Sequence, residues 1–286
     1  YMEVISMREG RIHKMRFEKG GSVVGKLEDL GPTKKTGTIV TFKPDPTIFT
    51  STLYNYETIK VRLRESAFLI KNLKVILTDK RSQKSDVFLY ENGISEYVLF
   101  LDANKRPLHP VAYFQGTYEQ IEVEVALQFV DTYSETIVSF VNNVRTGDGG
   151  SHETGFKTAL TRAFNDYGKK FNLLKKDMTL EGTDIRAGMT AVVSVLLPES
   201  LLEFEGQTKG KLGTPSAKIA VDNVLYEKLS YYLIENKTLS EQIIHKAIKE
   251  AESREAARKA RAQARLDKKD KKELNLSGKL SPTSEK

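Results

Sequence analysis

The feature that most limits this chain is the run Met189-Thr190-Ala191-Val192-Val193-Ser194-Val195-Leu196-Leu197, continuous in apolar character and rich in β-branched residues. A run of this length and composition reads as a buried strand. A second signal lies upstream. Ile121, Val123, Val125, Leu127 and Phe129 alternate with Glu122, Glu124, Ala126 and Gln128, and after Asp131-Thr132-Tyr133 the run Thr136–Val141 returns. That pattern predicts a long hairpin with one wet face. Between the two signals, Phe156, Leu160, Ala163 and Phe164 mark a helix over about 154–167. The chain is therefore α+β, and no internal repeat is visible.

The N-terminal part also reads as antiparallel β. Residues 1–7 alternate, Arg8-Glu9-Gly10 turns the chain into Arg11–Glu18, and a third strand follows Gly37 in Thr38-Ile39-Val40-Thr41-Phe42. Three strands make an incomplete sheet, so the chain reads as a piece of something longer. After Pro44-Asp45-Pro46, Ile59, Leu63, Ala67 and Ile70 predict an amphipathic helix over 56–70. A hairpin follows around Asp79–Ser82, then a short helix over 94–101 after Gly93. Ser151 or Asp148 is expected to cap the helix that follows the glycines at 149 and 150. Thr214-Pro215 has the form of an N-cap and first-turn pair for a helix to about 235. Thr238-Leu239-Ser240-Glu241 has capping-box spacing and opens a last helix on Ile243, Ile244, Ala247, Ile248 and Ala251. Carried from 238 to 268, that helix would be about 46 Å long; residues 269–286 read as a linker.

Composition narrows the chemistry. The 286 residues contain no cysteine and four scattered histidines, His13, His109, His152 and His245. Thiolate chemistry and disulfides are excluded and no histidine metal spacing exists, which suits a reducing cytoplasm. No stretch approaches the roughly 18 apolar residues of a membrane helix. Residues 251–286 carry +5 of the formal +7, leaving +2 for residues 1–250. The basic character is mostly C-terminal, so any polyanion surface on the body has to be argued locally.

Several segments carry candidate chemistry. Gln207-Thr208-Lys209, flanked by Gly206 and Gly210, could bring an ammonium and an amide donor against a phosphate; the plainer reading, and on spacing alone the better one, is a solvated loop. Asp148-Gly149-Gly150-Ser151-His152-Glu153 holds acid, hydroxyl and imidazole groups, yet a glycine turn with a capped helix explains it better. Arg186, between Asp184 and Gly188, reads as a buried or interface ion pair. Lys60, Arg62, Arg64, Lys71, Lys74, Arg145 and Lys157 could line a cavity that contacts DNA phosphates without reading bases, or be ordinary solvated charges.

Four segments together resemble one family. Gly37-Thr38-Ile39-Val40-x-Phe42, Asp148-Gly149-Gly150-Ser151-His152, Asp184-Ile185-Arg186-Ala187-Gly188-Met189-x-Ala191-Val192-Val193-Ser194-Val195 and Phe204-Glu205-Gly206-Gln207-Thr208-Lys209-x-Lys211-Leu212-Gly213 occur in this order in the ATPase subunits of bacterial type IIA topoisomerases. These are the B subunits of gyrase and topoisomerase IV. Glu255-Ala256-Ala257-Arg258-Lys259-Ala260-Arg261 and Leu276-Ser277-Gly278-Lys279-Leu280-Ser281-Pro282 look more like topoisomerase IV.

The resemblance implies that residues 1–49 are the last strands of a GHKL-type ATP-binding domain. It makes 50–237 a transducer domain with a left-handed βαβ crossover, 238–268 an exit helix, and 269–286 a linker towards a cleavage domain. It implies that Gln207 and Lys209 reach the γ-phosphate of ATP, with Lys209 as the catalytic contact, and that Thr38 helps to bind the adenine. The general-base Glu, the Mg2+-binding Asn and the adenine-reading Asp would lie upstream, and the DNA-cleavage metal site downstream, so this chain alone should hydrolyse no ATP and should hold no metal. The implied partners are DNA, for which Arg145 and Lys157 are candidate contacts, the topoisomerase's A subunits in a heterotetramer of two A and two B subunits, and a second B-type copy when ATP binds. The implied setting is the cytoplasm, at the nucleoid. A stand-alone nucleic-acid-binding protein with a basic helical tail is the alternative.

Overall fold

The computed structural model describes residues 1–277, with side chains through Leu266, and the chain forms two compact units, Tyr1–Val61 and Arg62 onwards. The first unit is an antiparallel sheet of five strands: β1 (Met2–Arg8), β2 (Arg11–Glu18), β3 (Val23–Val24), β4 (Glu28–Pro32) and β5 (Gly37–Phe42). β1 lies between β2 and β5, and β3 and β4 both pair with the outer edge of β2. Glu9 and Gly10, both at positive φ, form the two-residue turn that pairs Arg8 with Arg11. The three expected strands are present. β3 and β4 add to them, one only two residues long and the other broken by Gly31 opposite a bulge at Ile12/His13, so neither leaves an alternating pattern. No described side chain of this unit is fully buried.

The second unit begins within α1 (Tyr56–Leu69), which leads to the hairpin β6 (Val75–Asp79) and β7 (Lys84–Phe88), then α2 (Ile94–Leu101). The central sheet contains β8 (Ala112–Tyr118), β9 (Ile121–Phe129), β10 (Thr136–Val141), β11 (Val144–Arg145) and β12 (Met189–Leu196). Its spatial order is β11-β10-β12-β9-β8. The expected hairpin of 121–129 with 136–141 does not form. β12 lies between these strands, parallel to β10 and antiparallel to β9. Alternation reports which faces a strand presents but not which strand sits beside it, and the more apolar β12 takes the central place.

The wet face is likewise confined to the start of β9, because from Val125 onwards both faces are covered. Val123, Val125 and Leu127 of β9 join Ala191 and Val193 of β12 under α3 (Ser151–Lys170) and α5 (Pro215–Glu235). The opposite parity, Ala126, Val138, Phe140 and Val192, packs against Phe68 of α1 and Ile94, Tyr97 and Val98 of α2. The chain passes from β10 through β11, α3 and α4 (Gly182–Ile185) before returning as β12, a parallel crossover. α3 and α5 approach so closely that a Cβ on Gly155 would collide with the Lys218 carbonyl oxygen.

The predicted caps are replaced by other bonds. Gly150, not Ser151 or Asp148, occupies the N-cap of α3, with no side-chain cap. Thr214 is the N-cap of α5, but its hydroxyl donates to the Leu201 carbonyl (2.6 Å) and accepts from the Glu203 N–H (3.1 Å). α6 (Lys237–Ser277) follows α5 after Asn236 alone, so Thr238 is already inside the helix rather than at its N-cap. Ser240 is buried and donates to Leu233 O at 2.8 Å. α6 continues nine residues beyond Lys268, through much of the expected linker, and the rest, 278–286, lies outside the described residues. Among the described residues no helix is long and apolar enough to cross a membrane.

Candidate functional site

Gln207, Thr208 and Lys209 form the tip of a short hairpin. Its strands, β13 (Phe204–Glu205) and β14 (Lys211–Leu212), pair Phe204 with Leu212 and Glu205 with Lys211. The turn closes with Lys209 N–H donating to Gly206 O (3.3 Å), and both residues have positive φ. All three tip residues are exposed. The Lys209 ammonium lies 5.8 Å from the Phe204 ring centroid, and among the described residues no carboxylate pairs with it. The tip therefore presents one free positive charge and one neutral amide, a donor set that fits phosphate oxygens.

The hairpin is stitched to the start of α3. Asp148 N–H donates to Gly210 O at 2.9 Å, Leu212 N–H to Gly149 O at 3.2 Å, and Gly150 bridges Leu212. A cleft of about 410 Å³ opens between them, lined by Asp148, Ser151, Glu153, Lys157, Glu205 and Lys211 among others. Behind the glycines lies a buried polar network. The Thr146 hydroxyl sits 2.8 Å from the Ser139 hydroxyl and 3.1 Å from His152 Nε2. The Ser139 hydroxyl is also 3.4 Å from Glu153 Oε2, and Glu153 in turn binds the Lys157 ammonium at 2.6 Å. Burial pushes His152 down to about 4, so its imidazole is neutral. A buried neutral imidazole behind the turn supports the architectural reading of this motif over an acid-base one.

The remaining predicted residues fall elsewhere. Thr38 lies on β5 opposite Ser6 and is exposed. Arg145 donates to Glu65 Oε1 (2.8 Å), a buried carboxylate that also accepts from Tyr97 Oη (3.1 Å). Arg62 pairs with Glu65 and Lys71 with Glu124, while Arg64 stacks over Phe88 and Phe100. Much of the proposed basic lining is thus held by intramolecular partners. Arg186 forms the expected ion pair, with Glu135 at 3.0 Å.

Sequence reasoning missed the anchor of α6. Arg254 grips Asp184 with Nε on Oδ1 (2.8 Å) and Nη2 on Oδ2 (3.0 Å), and reaches Glu181 with Nη1. Glu181 and Asp184 together make the capping box of α4. About two turns earlier, the Lys246 ammonium donates to Val130 O (2.6 Å) and Thr132 O (2.7 Å). A signal was available. Ala247, Ala251 and Arg254 continue one helical stripe, so the arginine stands where the next core residue belongs.

The DNA gyrase B family matches residues 93–263, well over half the chain. The chain belongs to the DNA gyrase B family. Within that family it is 56% identical over 284 residues to the B subunit of DNA topoisomerase 4 from Bacillus subtilis, covering 99% of this chain and 43% of that protein. It is 55% identical to the protein of the same name from Staphylococcus aureus, covering 100% of this chain and 44% of that one. The chain thus spans less than half the length of these relatives. Among solved structures, the 43K ATPase domain of Thermus thermophilus gyrase B, in complex with an aminocoumarin, superposes with a TM-score of 0.77 at 39% identity. That match covers 92% of this chain and 71% of the other. The topoisomerase IV ATP-binding domain of Francisella tularensis shares the fold, with a TM-score of 0.76 at 23% identity over 88% of this chain and 69% of that one. The α+β architecture expected from the gyrase B resemblance is therefore the one observed.

Proposed function

We propose that this chain is the ATPase-transducer segment of the ATPase (B-type) polypeptide of a type II DNA topoisomerase, of the topoisomerase IV kind. In this reading residues 1–49 complete the ATP-binding domain, 50–237 form the transducer, and the helix from 238 leads out towards a cleavage domain. The single observation that carries it is the exposed Gln207–Lys209 tip, with a free ammonium and an amide, on a hairpin tied by backbone bonds to α3. When bound, ATP supplies a γ-phosphoryl group that gains negative charge on its oxygens as it is transferred.

Lys209 places its ammonium on those oxygens and Gln207 adds a neutral hydrogen bond, so the tip is held on the nucleotide only while the phosphate is there. A charge-assisted contact contributes about 1.5–3 kcal/mol, enough to bias a two-state closure. Thr38 contributes a hydroxyl on the adenine side. Mg2+ enters with ATP, on ligands contributed from outside this chain. The working assembly has two B subunits that close on ATP binding, two A subunits and a captured DNA duplex, in the cytoplasm at the nucleoid; its output is strand passage, seen as relaxation and decatenation. Arg145 and Lys157 face DNA in this reading only by exchanging their partners Glu65 and Glu153 for phosphate. The relatives lend no support to a stand-alone nucleic-acid-binding protein.

The test is ATP turnover by the full-length protein. Lys209→Ala lowers kcat by roughly 10²–10³ fold, the range for losing one preorganised electrostatic donor. Gln207→Ala acts in the same direction and more weakly, and nucleotide affinity falls less than turnover in both. Parent-level turnover in Lys209→Ala returns the tip to a solvated loop.

A further inference from the structure

The hairpin that carries Gln207 and Lys209 has only two residue pairs of its own, too few to fix the direction of its tip. Its aim must come from what it leans on. Gly213 N–H donates to Glu203 O at 2.7 Å and closes the hairpin base, and the other support is the turn before α3. At that turn Gly149 and Gly150 have φ of 71° and 142°, and a Cβ on Gly150 would stand 2.5 Å from both the backbone nitrogen and the carbonyl oxygen of Leu212. Only glycine allows this approach. On either side of it run the two seam bonds, Asp148 N–H to Gly210 O and Leu212 N–H to Gly149 O. Leu212 itself is 1% exposed and packs into the main core.

The turn is in turn held from behind. Gly149 N–H donates to Thr146 O (3.0 Å), and Thr146 N–H to Ser139 O (2.9 Å) on β10. A continuous set of backbone bonds thus runs from the central sheet through Thr146, Gly149 and Leu212 to the hairpin.

We infer that Gly150 is a positioning residue for ATP turnover: its bare backbone contact with Leu212 sets where the Lys209 ammonium and the Gln207 amide point. This rests on the proposed phosphate role of the tip. Relieving the contact at the seam takes a displacement of about 1 Å, and because Lys209 stands only three residues before Leu212 in the same short hairpin, its ammonium moves by about as much. A displacement of that size can cost up to about 10²-fold in rate.

The experiment is a double-mutant cycle on the full-length protein, with ATP as the probe and kcat and KM read separately. Gly150→Ala is expected to lower kcat by roughly 10- to 100-fold and to change KM by less than about threefold. Added to Lys209→Ala it should cost much less, because of the two groups it aims only the weaker Gln207 amide remains. A merely structural role would lower both backgrounds alike. Parent-level kcat in Gly150→Ala, or a loss that multiplies with that of Lys209→Ala, overturns the inference and leaves the phosphate role of the tip standing. Parent-level kcat in Lys209→Ala instead removes that role, and this inference with it. If Gly150→Ala does not fold, as thermal unfolding reports, Gly149→Ala strains the same turn, its Cβ meeting only the flexible end of Glu153, and is held to the same pattern.

Discussion

Replacing Arg254 by alanine takes two side-chain bonds from a carboxylate with almost no access to water, since the Asp184 side chain is 2% exposed. After the change Asp184 keeps one partner, the Glu181 N–H at 2.8 Å. Each charge-assisted bond contributes about 1.5–3 kcal/mol. The Arg254 side chain is 37% exposed, so solvent screening reduces the pair to about 2–3 kcal/mol in total. The third contact, to Glu181, adds little because that carboxylate is 60% exposed. For a chain of this size each kcal/mol lowers Tm by roughly 2–4 °C. Arg254→Ala should therefore melt about 5–10 °C below the parent. Arg254→Lys keeps the charge but not the planar fork, and should recover about half of the loss. The assay is thermal unfolding of the parent, the two single variants, Asp184→Asn and the double variant Arg254→Ala/Asp184→Asn. A drop of less than about 1 °C in Arg254→Ala, or losses that add in the double variant, would show that α6 is not held by this pair.

Two further expectations concern stability. His152 titrates near 4 when folded and ordinarily near 6.5, so between these pH values the unfolded chain binds a proton that the folded chain refuses. Its contribution is complete above about pH 6.5 and falls by about 3 kcal/mol towards pH 4; burial shifts His109 the same way and adds to the slope. Tm measured from pH 7.5 to 4.5 should fall steeply in the parent and less steeply in His152→Gln, and equal slopes would remove His152 as the cause. Gly155→Ala, which gains up to about 1 kcal/mol of helix propensity, should still destabilise by about 1–3 kcal/mol because its Cβ meets the Lys218 carbonyl. A raised Tm in that variant would mean that α3 and α5 can separate at no cost.

Strand and helix positions were largely legible because periodicity records burial, and burial is local to each element. Neighbours were not. Nothing in residues 121–141 announces that a strand from 189–196 will lie between β9 and β10, since that choice is made by competition among apolar strands for the centre of the sheet. Cap bonds were less legible than cap positions. Thr214 stands at the N-cap of α5 as expected, but the Leu201 carbonyl claims its hydroxyl. At the candidate site, the glycines, the glutamine and the lysine were readable one by one. The seam between residues 148–150 and 210–212 was not, because it is built from backbone groups and a missing side chain, neither of which leaves a pattern in sequence. Arg254 and Asp184 stand 70 positions apart and each alone looks like a solvated charge.

Among the described residues, burial of α6 ends well before its far end. Its last buried residue among those described is Ala251, and Lys246 and Arg254 supply the polar holds. From Arg254 to Ser277 the helix continues for about 35 Å at about 1.5 Å per residue. Such a rod is a lever arm. A rotation of about 10° at the root sweeps its far end through about 6 Å, more than one helical turn. Motions at the α4 contact too small to disturb the core beneath it are therefore multiplied along α6 into displacements large enough to carry one packed surface off another.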